Sequence, residues 1–173
     1  MKKIILILVC LAWGTSINAQ NADNKPGTHS LGLHAGSSTG LGLSYRYWPS
    51  KFGFQLTGIP IFRENGGHFI SAAATGLYEI KQGNLVDFYG YWGNHLLSIK
   101  DKYSYYEYDQ SGNMTLVENI SFSTQYNIGL GIGFRCHITD DVDFDIQGGY
   151  GIFNVTNNIY TFPSGELGLY YRL

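Results

Sequence analysis

An all-β fold, a closed barrel of eight antiparallel up-and-down strands, follows from three features of this 173-residue chain. The first is parity. From Ile120 to Ile138 the even positions are apolar apart from Thr124, while the odd positions from Asn119 to His137 are small or polar. Side chains on a strand alternate between two faces, so this is one long strand with an apolar wall and a polar lining. The second is composition: 23 glycines, 14 tyrosines and 10 phenylalanines stand beside only four prolines, as in a β-rich domain. The third is low charge without a hydrophobic helix. Charged residues make up 14%, against roughly 25% in soluble domains. After the N-terminus no segment stays apolar for the roughly 20 residues that a spanning helix requires. Strands that hide their apolarity at alternate positions reconcile the two.

The N-terminus reads as an address. Met1-Lys2-Lys3 is basic, Ile4 to Trp13 is apolar, and Ile17-Asn18-Ala19 precedes Gln20 like a small-residue cleavage site. Residues 1–19 are therefore expected to be a cleaved signal peptide that carries the chain through the inner membrane. Cys10 lies inside the apolar core behind the bulky Val9, which disfavours lipoprotein processing. Cleavage would remove Lys2 and Lys3 from 11 basic residues and none of the 13 acidic ones, a remaining net charge of −4. That balance speaks against a nucleic-acid partner. Cys136 would be the only cysteine left, so no internal disulfide is expected.

Residues 20–28 are polar, include Pro26-Gly27, and read as a flexible lead-in to a barrel domain at 29–173. The strand candidates run from His29 to Gly36, Gly40 to Trp48, Phe52 to Arg63, Gly67 to Lys81, Leu85 to Ile99, Glu118 to Ile138, Val142 to Asn154, and Gly165 to Leu173. The first ends at a short outer link, Ser37-Ser38-Thr39, and the second at the tight turn Trp48-Pro49-Ser50-Lys51. Glu64-Asn65-Gly66 closes the third, and Gln82-Gly83-Asn84 the fourth. A long link follows the fifth, Thr139-Asp140-Asp141 follows the sixth, and another long link follows the seventh. The last strand alternates as strictly as the sixth, with Leu167, Leu169, Tyr171 and Leu173 opposite Glu166, Gly168, Tyr170 and Arg172. Short turns on one side and longer links on the other are the pattern of a transmembrane barrel.

Parity alone leaves open which face is outside. A soluble barrel would expose many Lys and Glu residues, but the polar face of strand six holds Ser, Asn, Gln and Gly with one Arg and one His. Small residues suit a cramped interior, where Gly129, Gly131 and Gly133 make room for Tyr89, Tyr91 and Tyr170. Outward Trp92, Tyr126 and Tyr150, and outward Tyr45, Tyr47, Phe52, Phe54, Phe144 and Tyr171, form the two aromatic belts of a membrane barrel. The inward charges Arg46, Glu79, Asp87, Arg135, Asp145 and Arg172 all fall near the turn end. They are expected to form an ion-pair network in the lower lumen.

These features together make the chain similar to the small eight-stranded outer-membrane barrels of the OmpA, OmpX and OmpW type. The resemblance spans the chain after the signal peptide and includes Leu167-Gly168-Leu169-Tyr170-Tyr171-Arg172-Leu173. In that family the final strand resembles a recognition signal for the assembly machinery and usually ends in an aromatic residue. Here Leu173 is last, with Tyr171 in register. Gly40 to Pro49, followed by Phe52-Gly53-Phe54-Gln55, also resembles uncharacterised barrels of Bacteroidetes-like bacteria. The resemblance implies a Gram-negative outer-membrane location, outer-membrane lipids and the assembly machinery as partners, and a monomer without cofactor.

A strand crosses the bilayer in about 9 to 11 residues, so the sixth strand and its partner must project beyond it. Tyr103, Tyr105, Tyr106 and Tyr108, the turn Asp109 to Asn113, and Met114 to Val117 read as a protruding hairpin. Such a hairpin would be either a plain solvated loop or a surface for a host or cell-surface ligand, because tyrosine offers contact area at little entropic cost. Other chemistries are weaker. Asp141, Asp143 and Asp145 have a metal-like spacing on a turn, and Gly129 to Gly133 is no nucleotide loop because no helix follows. A lipid A acyl hydrolase or transferase would need a hydroxyl and an imidazole activated by a carboxylate. His68, His95 and Ser98 have the right height but no evident carboxylate, and adjacent His29 and Ser30 face opposite ways. A soluble, lipocalin-like periplasmic carrier of an apolar ligand is the reading with the faces inverted. The expected protein is a structural or surface-interacting, adhesion-like barrel closed to solute flow, and not an enzyme.

Overall fold

The computed structural model describes residues 28–64, 66–108 and 114–173. The expected signal peptide and lead-in, residues 1–27, and the turn Asp109 to Asn113 lie outside the described residues. Eight strands, β1 (Thr28–Gly36), β2 (Gly40–Trp48), β3 (Phe52–Phe62), β4 (His68–Lys81), β5 (Val86–Tyr108), β6 (Met114–His137), β7 (Val142–Phe153) and β8 (Tyr160–Arg172), pair with their sequence neighbours. The antiparallel pairing of β8 with β1, from Ser30↔Arg172 to Gly36↔Glu166, closes the ring.

Most strand ends agree with the sequence reading to within one residue. The exceptions all lie on the side of the longer links. β5 and β6 continue without a break as a paired ladder from Val86↔Cys136 to Tyr108↔Met114. β8 begins at Tyr160 rather than Gly165, which cuts the link after β7 to residues 154–159, still the longest of the links. Pro163 lies within the added stretch. It pairs with Tyr150 of β7, but β1 ends opposite Glu166. Above that point β8 has a partner on one side only, where a residue without an N–H is tolerated.

The apolar positions face outward. Leu33, Leu43, Leu130, Tyr150 and Tyr171 are each about half exposed or more, whereas Arg46, Gln55, Asp87, Tyr89, Asp145 and Tyr170 are buried in the lumen. This is the inverse of a soluble barrel and the arrangement of a membrane barrel. The one amide on the outer face of β5, Asn94, accepts a 2.6 Å hydrogen bond from the Tyr126 hydroxyl, so its oxygen is not left bare. Side chains fill the interior. The Tyr89 ring packs edge-on against Trp48, at 5.8 Å between centroids, and lies directly over Gly133, where a Cβ would collide with it. Gly131 and Gly133 of β6 are spaces that Tyr91 and Tyr89 occupy, whereas the space at Gly129 is taken by Ser38.

Candidate functional site

All six charged residues expected in the lower lumen point inward, but they divide into two groups. Arg46 and Asp145 form a closed pair, with side chains 1% and 0% exposed. Each is held again: Arg46 Nη2 donates to Gln55 Oε1 at 2.7 Å, and Tyr89 Oη donates to Asp145 Oδ1 at 3.0 Å. The guanidinium also lies 4.0 Å from the Tyr170 ring centre. The second group is a chain along the turn end. Arg135 reaches Asp87 at 2.5 Å and Glu79 at 3.6 Å. His137 bridges Asp87 and Asp143 at 3.2 and 2.7 Å, and Arg172 contacts Asp143 at 3.3 Å. His137 and Asp143 were not counted in the expected network, although their odd parity on β6 and β7 marks both as inward. Asp143 is thereby a link in an ion-pair chain, and Asp141 sits exposed in its turn, so the three aspartates converge on no common point.

Replacing Arg135 by leucine takes the guanidinium from both Asp87 and Glu79, leaving Asp87 only His137 and the Gly83 N–H. The unfolding midpoint of the refolded barrel in denaturant is expected to fall, by about 3 kcal/mol for the loss of a largely buried partner. An unchanged midpoint would remove this chain from the forces that hold the barrel.

The first outer link departs most from expectation. Only Ser37 stays exposed; Ser38 and Thr39 are folded into the lumen, both 0% exposed. β2 leaves the wall at Leu43↔Gly58, the last register pair with β3. Gly42 and Gly40, with φ of +133° and +86°, turn it inward. Those values lie in a region that side-chain-bearing residues avoid. Leu41 N then donates to Ser71 Oγ of β4 at 2.9 Å. The tip sits against β5 and β6 where they carry no side chain: a Cβ on Gly93 would meet Thr39 Cγ2 at 2.7 Å, and one on Gly129 would strike Ser38. Polar clamps complete the seat. Ser38 Oγ donates to Glu166 Oε1 at 2.5 Å, Thr39 Oγ1 and His34 Nε2 are 2.6 Å apart, and His95 Nδ1 lies 3.0 Å from Ser37 O. The tip is a stopper across the middle of the barrel.

At the opposite extreme, β5 and β6 rise past their neighbours. β4 stops pairing with β5 at Lys100, and β7 stops pairing with β6 at Ile128. The described ribbon beyond those points has two open faces. Tyr103 and Tyr105 stack at 6.4 Å on one. Tyr106 and Tyr108 lie opposite Leu116 and Met114 on the other. All four rings are 45 to 66% exposed.

No protein-family model matches the chain and no curated protein matches it. Among solved structures it is similar to the N-terminal β-barrel domain of Pseudomonas aeruginosa OprF, with a TM-score of 0.51 at 12% identity over 85% of this chain and 96% of that one. The chain has the fold of the small eight-stranded outer-membrane barrels. Neisserial surface protein A is similar at a TM-score of 0.42 and 16% identity, covering 89% of this chain and 99% of that one. The Ail protein of Yersinia pestis is similar at 0.40 and 14%, covering 85% and 97%.

Within this outer-membrane-type barrel, the residues considered for hydrolysis do not assemble. His68 and Ser98 bond at 3.1 Å on the outer face, where among the described residues no carboxylate pairs with His68. His95 is on the inner face, 3.0 Å from Ser71 Oγ. A hydroxyl, imidazole and carboxylate do meet elsewhere, in Thr39, His34 and Glu166, with His34 Nε2 3.4 Å from Glu166 Oε2. That group was not singled out in the sequence, because His34 and Glu166 meet only when the ring closes. The side chains of His34 and Glu166 are 0% exposed. What the arrangement does is hold the stopper.

Proposed function

We propose that the protein is an integral outer-membrane barrel, closed to solutes, whose role is structural or surface-interactive and whose β5–β6 hairpin is the surface that meets a host or cell-surface ligand. The observation that carries this reading is the contrast between the two ends of the outer side: one link is withdrawn as a stopper while a tyrosine-rich ribbon is extended. An open two-stranded ribbon is marginally stable alone, and it exposes large amphipathic rings and unpaired strand edges, both suited to recognition. Outer-membrane lipids surround the apolar wall, and the barrel is expected to act as a monomer.

Deleting Tyr103 to Val117 is expected to abolish adhesion of cells carrying the protein to the surface they otherwise bind. Assembly, read as a heat-dependent shift in electrophoretic mobility, should be retained. Normal adhesion by the deletion strain would show that the hairpin is not the contact. The stopper residues Ser38 and Thr39 and the buried Tyr89, Tyr91 and Tyr170 occupy the lumen, which supports a closed barrel. Planar bilayers containing the purified protein are therefore expected to show no steady conductance, and regular single-channel steps would contradict a closed barrel.

A further inference from the structure

Above the stopper the lining of the barrel changes character. Below it the inward positions of β3 and β4 include the buried polar Gln55, Thr57, Ser71 and Thr75, with Leu77 the one large apolar side chain among them. Continuing the same parity upward, the inward positions become Ile59 and Ile61 on β3, Phe69 on β4, and Leu97 and Ile99 on β5. Each of these is half-buried or exposed rather than packed. Phe153 and Phe162 face them from β7 and β8, the latter 64% exposed. The parity of β3 is secured by Gly42, whose missing Cβ would lie 2.7 Å from Ile59 Cβ inside the wall. The upper lumen is a cup with apolar walls on five strands and a floor made by the stopper. Its β6 side is polar, carrying Gln125 and Asn127.

The cup is also open sideways. Because β1 and β2 end at the stopper, Ile59–Phe62 of β3 have no partner on the β2 side, and Tyr160–Gly165 of β8 have none on the β1 side. The two edges stand three strand spacings apart, about 14 Å. Phe62 and Pro163, outward residues beside the notch, are exposed with the rest of the apolar exterior. Pro163 pairs with Tyr150 of the outer aromatic belt, so the notch opens where the lipid-facing surface meets the outer interface. Bare strand edges are costly beside hydrocarbon, so a molecule filling this gap must offer polar atoms to the rim and apolar ones to the cup.

We infer that the cup is a binding site for an acyl chain of an outer-leaflet lipid, entering through the notch between β3 and β8, with the lipid's polar linkage at the unpaired backbone edges and its chain over the stopper. This rests on the membrane reading above, and one experiment separates the two. The full protein is refolded into vesicles containing a phosphatidylcholine with a photoactivatable diazirine on one acyl chain, irradiated, and its adducts mapped by mass spectrometry. Adducts at Ile59, Ile61 or Leu97 are expected alongside those at outward Leu130 and Ile132. Adducts at Leu130 and Ile132 alone would overturn the acyl site while leaving the membrane barrel standing. No adducts on the outward residues either would overturn the membrane reading itself. A water-soluble diazirine that labels the inward positions when the lipid does not would show an aqueous vestibule, against the proposal. Ile61→Asp, which puts a carboxylate into the apolar wall, should lower the lipid adduct at Leu97 by about tenfold or more, with labelling of Leu130 unchanged.

Discussion

Replacing Arg46 by leucine is expected to lower the stability of the barrel by about 3 to 5 kcal/mol, the usual cost of leaving one member of a buried ion pair without its partner. Asp145 would then keep its charge in a lumen where its own exposure is 0%. Its remaining bond, from the Tyr89 hydroxyl, does not offset a full charge. Gln55 Oε1 would lose both of its donors, Arg46 Nε and Nη2, and Tyr170 the cation over its ring. The measurement is the denaturant midpoint of the refolded protein in lipid vesicles. Arg46→Leu combined with Asp145→Leu is expected to recover part of the loss, because removing both charges removes the stranded one. If the single and double variants unfold at the wild-type midpoint, the pair does not stabilise the lower lumen.

Ile132→Arg addresses the wall instead of the interior. Ile132 is outward on β6, 46% exposed, paired between Gly90 and Gly148, and midway along the strand between Tyr126 of the outer aromatic belt and the turn after His137. An arginine in the apolar band of a membrane barrel costs roughly 2 to 4 kcal/mol near the midplane and falls toward nothing at the interface. Leu116, on the same face of the same strand but in the projecting hairpin, supplies the control. Leu116→Arg is expected to change stability by no more than about 0.5 kcal/mol. Equal small effects at both positions would mean that the apolar wall is not in lipid, and would return the soluble carrier with inverted faces to first place.

Much of this was legible in the chain, and for a reason specific to β-structure. A strand of period two writes its two faces into alternate residues, so the apolar even positions of Ile120 to Ile138 and the inward Arg46, Asp87, Arg135, Asp145 and Arg172 were placed on the correct side without knowing the fold. The same logic placed Tyr89 and Tyr91 against Gly133 and Gly131, but Tyr170, expected there too, packs instead against Arg46. The early start of β8, with Pro163 inside it, was not read from the sequence; a proline is tolerated there because only one neighbouring strand is present. Which neighbours are present depends on how far β1 climbs.

Local pattern alone determined the strand count, the strand faces, the polar lumen and the apolar exterior, since each depends on which residues alternate along a single strand. Tertiary structure decided what depends on the register between strands distant in sequence. It divided the six lumen charges into a closed Arg46–Asp145 pair and a separate chain through His137 and Asp143. It brought Ser38 to Glu166, 128 residues away. It also turned a Ser-Ser-Thr link that reads as an ordinary exposed turn into the stopper of the barrel. Two glycines of positive φ permit that turn, and Gly93 and Gly129 receive it, but only the closed ring sets those four glycines around one point.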